Sequence, residues 1–153
     1  MKNILFVCTG NTCRSCMAEG ILKDILRKND KEKDFSVTSA GLFVREGDKA
    51  SNYAIEVLKN EWGIDISNHI SRQIEVCDLE DADIILTMTN SHKSIILRYK
   101  RQYLEKTFTL KEYVGGQELD ILDPYGGTYN EYKLCAKDIK KQLEKLLDKL
   151  EGK

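Results

Sequence analysis

The feature that most limits the fold is a short apolar run, residues 4–7, that meets the loop Cys8-Thr9-Gly10-Asn11-Thr12-Cys13-Arg14-Ser15 and then turns helical. Residues 4–7 read as a strand buried on both faces. From Ser15 the apolar residues Ala18, Ile21, Leu22, Ile25 and Leu26 recur at helical spacing up to about Lys28. The chain then repeats this theme. Residues 35–39 alternate like a strand and stop at Ala40-Gly41. After a loop over 42–49, a helix is expected over 51–62, with Ala54, Val57, Leu58 and Trp62 inward and Gly63 as its stop. Next come a short helix over 74–81, a buried strand over 83–88, a helix over 90–103 and a strand over 106–110. A long loop over 115–127 holds the only proline, Pro124. Ile139, Leu143, Leu146, Leu147 and Leu150 mark a closing amphipathic helix.

Strands that alternate with helices predict an α/β fold: a three-layer sandwich with a central four-stranded parallel sheet, doubly wound. A single domain over residues 1–153 is expected, because this length suits one core and no repeat, linker or low-complexity segment interrupts it. The 24 basic and 25 acidic side chains nearly cancel, so no nucleic-acid partner is implied. The apolar start is too short for a signal-peptide core, and no other segment approaches membrane-spanning length. A cytoplasmic monomer with no membrane contact is therefore expected. The five cysteines, Cys8, Cys13, Cys16, Cys77 and Cys135, are odd in number and scattered, which argues against a disulfide framework or a zinc site.

Three of those cysteines crowd into nine residues around the first loop. In an open parallel sheet, ligands sit beyond the carboxyl ends of the strands, and this loop lies there. Its backbone N–H groups and the following helix N-terminus make an anion site. Gly10 and Asn11 are the residues best able to take the positive φ that wrapping a phosphate requires. Arg14 can grip two phosphate oxygens with its planar fork. The same surroundings are expected to lower the Cys8 pKa and favour the nucleophilic thiolate. Ser15 can donate a hydrogen bond to the sulfur and steady it as a leaving group. Far along the chain, Asp123 stands in the long loop before a proline that restricts its backbone. A carboxylic acid beside a phosphate dianion keeps its proton more readily, which suits a general acid. Asp120 is read as structural.

The stretch VCTGNTCRS followed by MAEG, with SAG at 39–41 and DP at 123–124, resembles the low-molecular-weight protein-tyrosine phosphatase family over essentially the whole chain. The resemblance implies a phosphatase acting on phosphorylated proteins without metal or organic cofactor. By position, Cys8 forms a thiophosphate intermediate, Arg14 binds the phosphoryl oxygens, and Asp123 protonates the leaving group and then activates water. Thr9, Gly10, Asn11, Thr12, Cys13 and Ser15 complete the phosphate loop, Asn11 and Ser39 hold it in shape, and Tyr125 forms an aromatic lip beside Asp123.

Thr12 stands where tyrosine phosphatases of this family usually carry an apolar residue, and bacterial protein-arginine phosphatases are similar in having threonine. A hydroxyl there suits the polar N–H groups of a phosphoramidate, whereas a methyl wall favours a phenyl ring. Tyr125 is followed by Gly126 rather than by a second aromatic, leaving a barer rim. Phosphoarginine is thus the favoured substrate residue, phosphotyrosine the alternative. Arsenate reductase is weaker, because its resolving chemistry needs a later cysteine pair and only Cys77 stands in that part. The family resemblance also implies that Cys13 can close a reversible disulfide with Cys8, protecting it from overoxidation. Cys16 replaces the usual proline, costing some preorganisation of the helix start. His69, His92, Tyr99, Tyr103, Tyr129 and Tyr132 are read as structural.

Overall fold

Alternation along the first strand decides the layers. In the computed structural model, which describes residues 1–152, β1 (Lys2–Cys8) sends Ile4, Phe6 and Cys8 to one face and Leu5 and Val7 to the other. Lys153, the last residue of the expected domain, lies outside the described residues. The chain continues through α1 (Arg14–Lys28), β2 (Phe35–Gly41), α2 (Asn52–Trp62), α3 (Val76–Asp81), β3 (Ile84–Thr87) and α4 (Asn90–Tyr99). A 3-10 helix (Arg101–Lys106), β4 (Thr107–Thr109), α5 (Leu110–Tyr113) and α6 (Tyr129–Leu150) complete it.

The four strands are parallel, in the order β2-β1-β3-β4, with Cys8 opposite Gly41 and Val7 opposite Thr87. Ile4, Phe6, Ile84 and Leu86 pack with Met17 and Ile21 of α1, Leu58 of α2, and Ile139 and Leu143 of α6. Leu5, Val7 and Ile85 pack on the opposite side with Leu79 of α3, Ile96 of α4 and Tyr103. Helices therefore cover both faces, as a doubly wound sheet requires. The chain moves outward from β1 to β2 and then returns to β3 on the other side of β1. That reversal opens a crevice at the carboxyl ends of β1 and β3.

Most elements fall within two residues of expectation, and two boundaries differ for a visible reason. The helix expected over 90–103 ends at Tyr99, because Lys100 turns to extended backbone (φ −147°, ψ 112°) and a 3-10 helix follows. The strand expected over 106–110 shortens to Thr107–Thr109, because the Thr109 hydroxyl accepts from the Glu112 N–H at 3.1 Å and starts α5. Threonine followed three residues later by glutamate is a capping box, a helix-start signal that the β-branched run had masked. Gly63 does end α2, in the left-handed region at φ 67°, with the N–H groups of Gly63 and Ile64 bonded to Lys59 and Leu58 carbonyls. Among the described residues no helix is long and apolar enough to cross a membrane.

Leu143 is fully buried between α6 and the sheet, whereas Leu134 on the same helix is 59% exposed. Leu143→Ala is expected to destabilise the fold by about 2–5 kcal/mol in urea unfolding. Leu134→Ala should change it by less than about 0.5 kcal/mol.

Candidate active site

β1 delivers Cys8 to the crevice, and the loop after it closes back onto β2. Leu42 N–H bonds the Cys8 carbonyl at 3.0 Å and Phe43 N–H the Thr9 carbonyl at 2.9 Å. This close approach explains Gly41: a Cβ there would lie 2.7 Å from the Thr9 carbonyl oxygen and 3.0 Å from the Asn11 nitrogen. The Cys8 sulfur is buried and 2.8 Å from the Ser15 hydroxyl, in the first turn of α1. Among the described residues no side chain caps α1, so its first N–H groups remain available to an anion.

Asn11 holds the loop. It is fully buried, at φ 58°, a left-handed conformation that asparagine tolerates. Its side-chain amide donates to Ser15 Oγ at 2.7 Å and to Ser39 Oγ at 2.9 Å, while its Oδ1 accepts from Arg72 N–H at 3.0 Å. Its backbone carbonyl accepts from Ser71 Oγ at 2.9 Å and lies 2.8 Å from His69 Nε2. Ser39 in turn donates to Glu19 of α1. Gly10, by contrast, is not in the positive-φ region, so the expected glycine freedom is used only one residue on. A Cβ at Gly10 would meet only Thr12 Oγ1, at 3.8 Å.

Cys8, Thr9, Gly10, Thr12, Cys13, Arg14, Asp123 and Tyr125 line one cavity of about 240 Å³, together with Phe43, Arg45 and Asp48. Arg14 is buried. One arm of its guanidinium donates to the Ile121 carbonyl at 3.0 Å and the other lies 3.4 Å from Asp123 Oδ2. The Asp123 carboxylate is half exposed, and its Oδ1 accepts from Tyr125 N–H at 3.0 Å. That turn is closed by Gly127 N–H on the Pro124 carbonyl at 2.8 Å, with Gly126 at φ 77°. Asp120 accepts from Asn90 N–H at 2.8 Å, tying the same loop to the start of α4. A larger cavity, about 790 Å³ between α1, β2 and residues 63–69, contains none of Cys8, Arg14 or Asp123.

The model of the family described as low molecular weight phosphotyrosine protein phosphatase matches residues 3–153. The chain belongs to the low molecular weight phosphotyrosine protein phosphatase family. A protein-arginine-phosphatase of Bacillus subtilis is 42% identical over 97% of this chain and 96% of its own length. A low molecular weight protein tyrosine phosphatase of T. tengcongensis is 45% identical in its crystal structure, with a TM-score of 0.92 over 97% of this chain and 99% of that one. YwlE arginine phosphatase, as a mutant with a phosphorylated active-site serine, is 40% identical, with a TM-score of 0.92 over 97% of this chain and 95% of that one.

Within this phosphatase, burial works against the thiolate expected at Cys8. Desolvation is the largest influence and pushes the thiol up, against the downward pull of the Ser15 hydroxyl, the Ser15 and Asn11 N–H groups and the Arg14 charge. The net direction is upward, a correction to the sequence-based expectation. The loop's donors, with the positive end of α1, offset part of that burial cost. Burial also holds the Cys16 thiol up; it donates to the Cys13 carbonyl at 3.2 Å. Cys135 is pushed up to about 12 and donates to the Leu122 carbonyl. Cys13 is buried, 3.3 Å from Tyr132 OH and 3.5 Å from Ser51 Oγ.

Several supporting residues escaped the sequence. His69 and His92, read from the sequence as structural, both reach the loop itself, at the Asn11 carbonyl and the Thr9 hydroxyl. Tyr132 touches Cys13 from α6, and Phe43, Arg45 and Asp48 flank the cavity mouth. Nothing in their local spacing marks them; they arrive through long-range packing. Tyr99 is 58% exposed and does not cover the core.

Asn11→Ala strands Ser39 and the Arg72 N–H and leaves alanine at a positive φ. The expected cost is about 2–4 kcal/mol of stability. A loss of about 10²-fold in kcat on an aryl phosphate should accompany it; urea unfolding and steady-state rates check the pair.

Proposed function

We propose that this phosphatase removes the phosphoryl group from phosphorylated protein side chains through a thiophosphate at Cys8, with phosphoarginine favoured. The observation that carries this reading is the Cys8 sulfur, 2.8 Å from Ser15 at the start of α1, on the same cavity as Arg14 and Asp123. The Cys8 thiolate attacks phosphorus, and the bond from phosphorus to the leaving nitrogen or oxygen breaks as the S–P bond forms. Asp123 gives its proton to the leaving atom. Arg14 exchanges its 3.4 Å contact with Asp123 for two phosphoryl oxygens and offsets their charge. Asp123, now a carboxylate, takes a proton from water; the water oxygen attacks phosphorus and the S–P bond breaks. The departing sulfur is stabilised by the Ser15 hydroxyl. The phosphorylated serine of the YwlE mutant structure supports a covalent route of this kind.

Thr12 supports the phosphoarginine preference. It is half-buried on the cavity wall, and its hydroxyl meets only the Cys13 sulfur at 3.6 Å among the described residues, a weak partner. Its lone pairs are available to guanidinium N–H groups. A second reading, phosphotyrosine, draws on Phe43 and Tyr125, 67% and 75% exposed at the cavity mouth, which offer faces to a phenyl ring. Arsenate reduction lacks support, since Cys77 sits exposed on α3 with its thiol toward Glu75. The enzyme works as a cytoplasmic monomer on phosphorylated proteins; cysteine, arginine and aspartate fill every role, and a thiolate nucleophile suits a reducing compartment.

Rates on matched phosphoarginine and phosphotyrosine peptides test this order. A phosphoarginine preference is expected, and Thr12→Ile should shift the kcat/KM ratio toward phosphotyrosine by about tenfold. A phosphotyrosine preference in the unaltered enzyme reverses the order, and no shift in the variant removes Thr12 from it.

A further inference from the structure

Thr9 lines the catalytic cavity, and its hydroxyl meets a buried histidine behind it. His92 is the third residue of α4 and forms half of a capping box there: Thr89 Oγ1 accepts from the His92 N–H at 3.2 Å, while the Thr89 N–H donates to His92 Nδ1 at 3.2 Å. A backbone N–H can only donate. Nδ1 must therefore carry the lone pair, and in the neutral ring the hydrogen sits on Nε2. Nε2 lies 2.9 Å from Thr9 Oγ1, so it donates and the threonine oxygen accepts. Among the described residues His92 is the hydrogen-bond partner of that hydroxyl.

A threonine hydroxyl is ordinarily free to present either its hydrogen or a lone pair. Here one lone pair is taken, the donor stands behind the oxygen, and the O–H is left for the cavity side. We propose that His92 is a positioning residue that fixes the Thr9 hydroxyl as a hydrogen-bond donor to the phosphoryl oxygens over Cys8. This rests on the phosphatase reading above and adds a donor that neither the loop amides nor Arg14 supplies. A phosphoryl oxygen is anionic, so a hydroxyl turned to offer its lone pair would repel it; the ring removes that orientation in advance. Burial, and then the nearby Arg14 charge, hold the His92 pKa down to about 4. The ring thus stays neutral through the ordinary working range, with its donor and acceptor ends unchanged. Thr9 and Thr12 are in this way divided in role. The first is held as a donor by His92, while the second keeps its lone pairs toward the cavity.

A double-mutant cycle separates this from a merely structural histidine. The probe is p-nitrophenyl phosphate, with the whole chain and with circular dichroism to check each fold. Thr9→Val and His92→Phe should each lower kcat/KM by about tenfold, the loss of one donor to a charged group. The double variant should be no worse than either single one. Thr9→Ser keeps the hydroxyl, and His92→Gln places an amide N–H near the Nε2 position, so both should stay within about threefold of the unaltered enzyme. Additive losses in the double variant, or a His92→Gln as poor as His92→Phe, overturn the proposal. Should His92→Phe not fold, nitrogen NMR of the unaltered chain decides. A proton on Nε2 supports the proposal and one on Nδ1 contradicts it. Full hydrolysis surviving in Cys8→Ser would instead count against the phosphatase reading itself, whatever the cycle shows.

Discussion

The Asn11 side chain is the interaction on which the site depends. From one buried amide it reaches the loop at Ser15, the second strand at Ser39 and the segment after α2 at Arg72. Its carbonyl collects Ser71 and His69 as well. A loop around a phosphate turns its N–H groups inward, and its outward carbonyls and side chains must find partners elsewhere. Asn11 meets that need at one residue and at a backbone conformation few others accept. A fully satisfied buried network of this kind is rigid, and a partly satisfied one is costly. The loop is therefore held in its binding shape by the protein rather than by the ligand.

What that shape must overcome is burial. The Cys8 thiol lies at the end of a strand buried on both faces, where desolvation opposes the anion. Hydrogen bonds from Ser15 and Asn11, the Arg14 charge and the start of α1 oppose it in turn. The Arg14–Asp123 contact adds little stability, because one partner is half exposed. Its significance is geometric: it brings the Arg14 charge and the Asp123 carboxyl, the groups proposed to bind phosphate and to move protons, into one cavity.

Much of this was legible in the sequence. The run from residue 4 to Ser15 carries its own strand, loop and helix signals, and SAG and DP fall where the sheet and the long loop need them. Cys8, Arg14, Asn11, Ser39 and Asp123 do come together. The misses share a cause. His69, His92, Tyr132 and Phe43 meet the loop across sequence separations of dozens of residues or from an exposed rim, where no local period marks them. Gly10 and the Cys8 pKa depart from expectation for another reason: φ and desolvation depend on how the finished loop sits against its neighbours. The ends of α4 and β4 were set by a turn at Lys100 and a cap at Thr109, which outweigh intrinsic propensity.

The most direct measurement is mass spectrometry of the unaltered chain after rapid quench during turnover of a phosphorylated peptide. A thiophosphate at Cys8 predicts one phosphoryl group per chain, carried on the peptide that contains Cys8. Turnover with no phosphorylated chain, or phosphate found on any other residue, would contradict it.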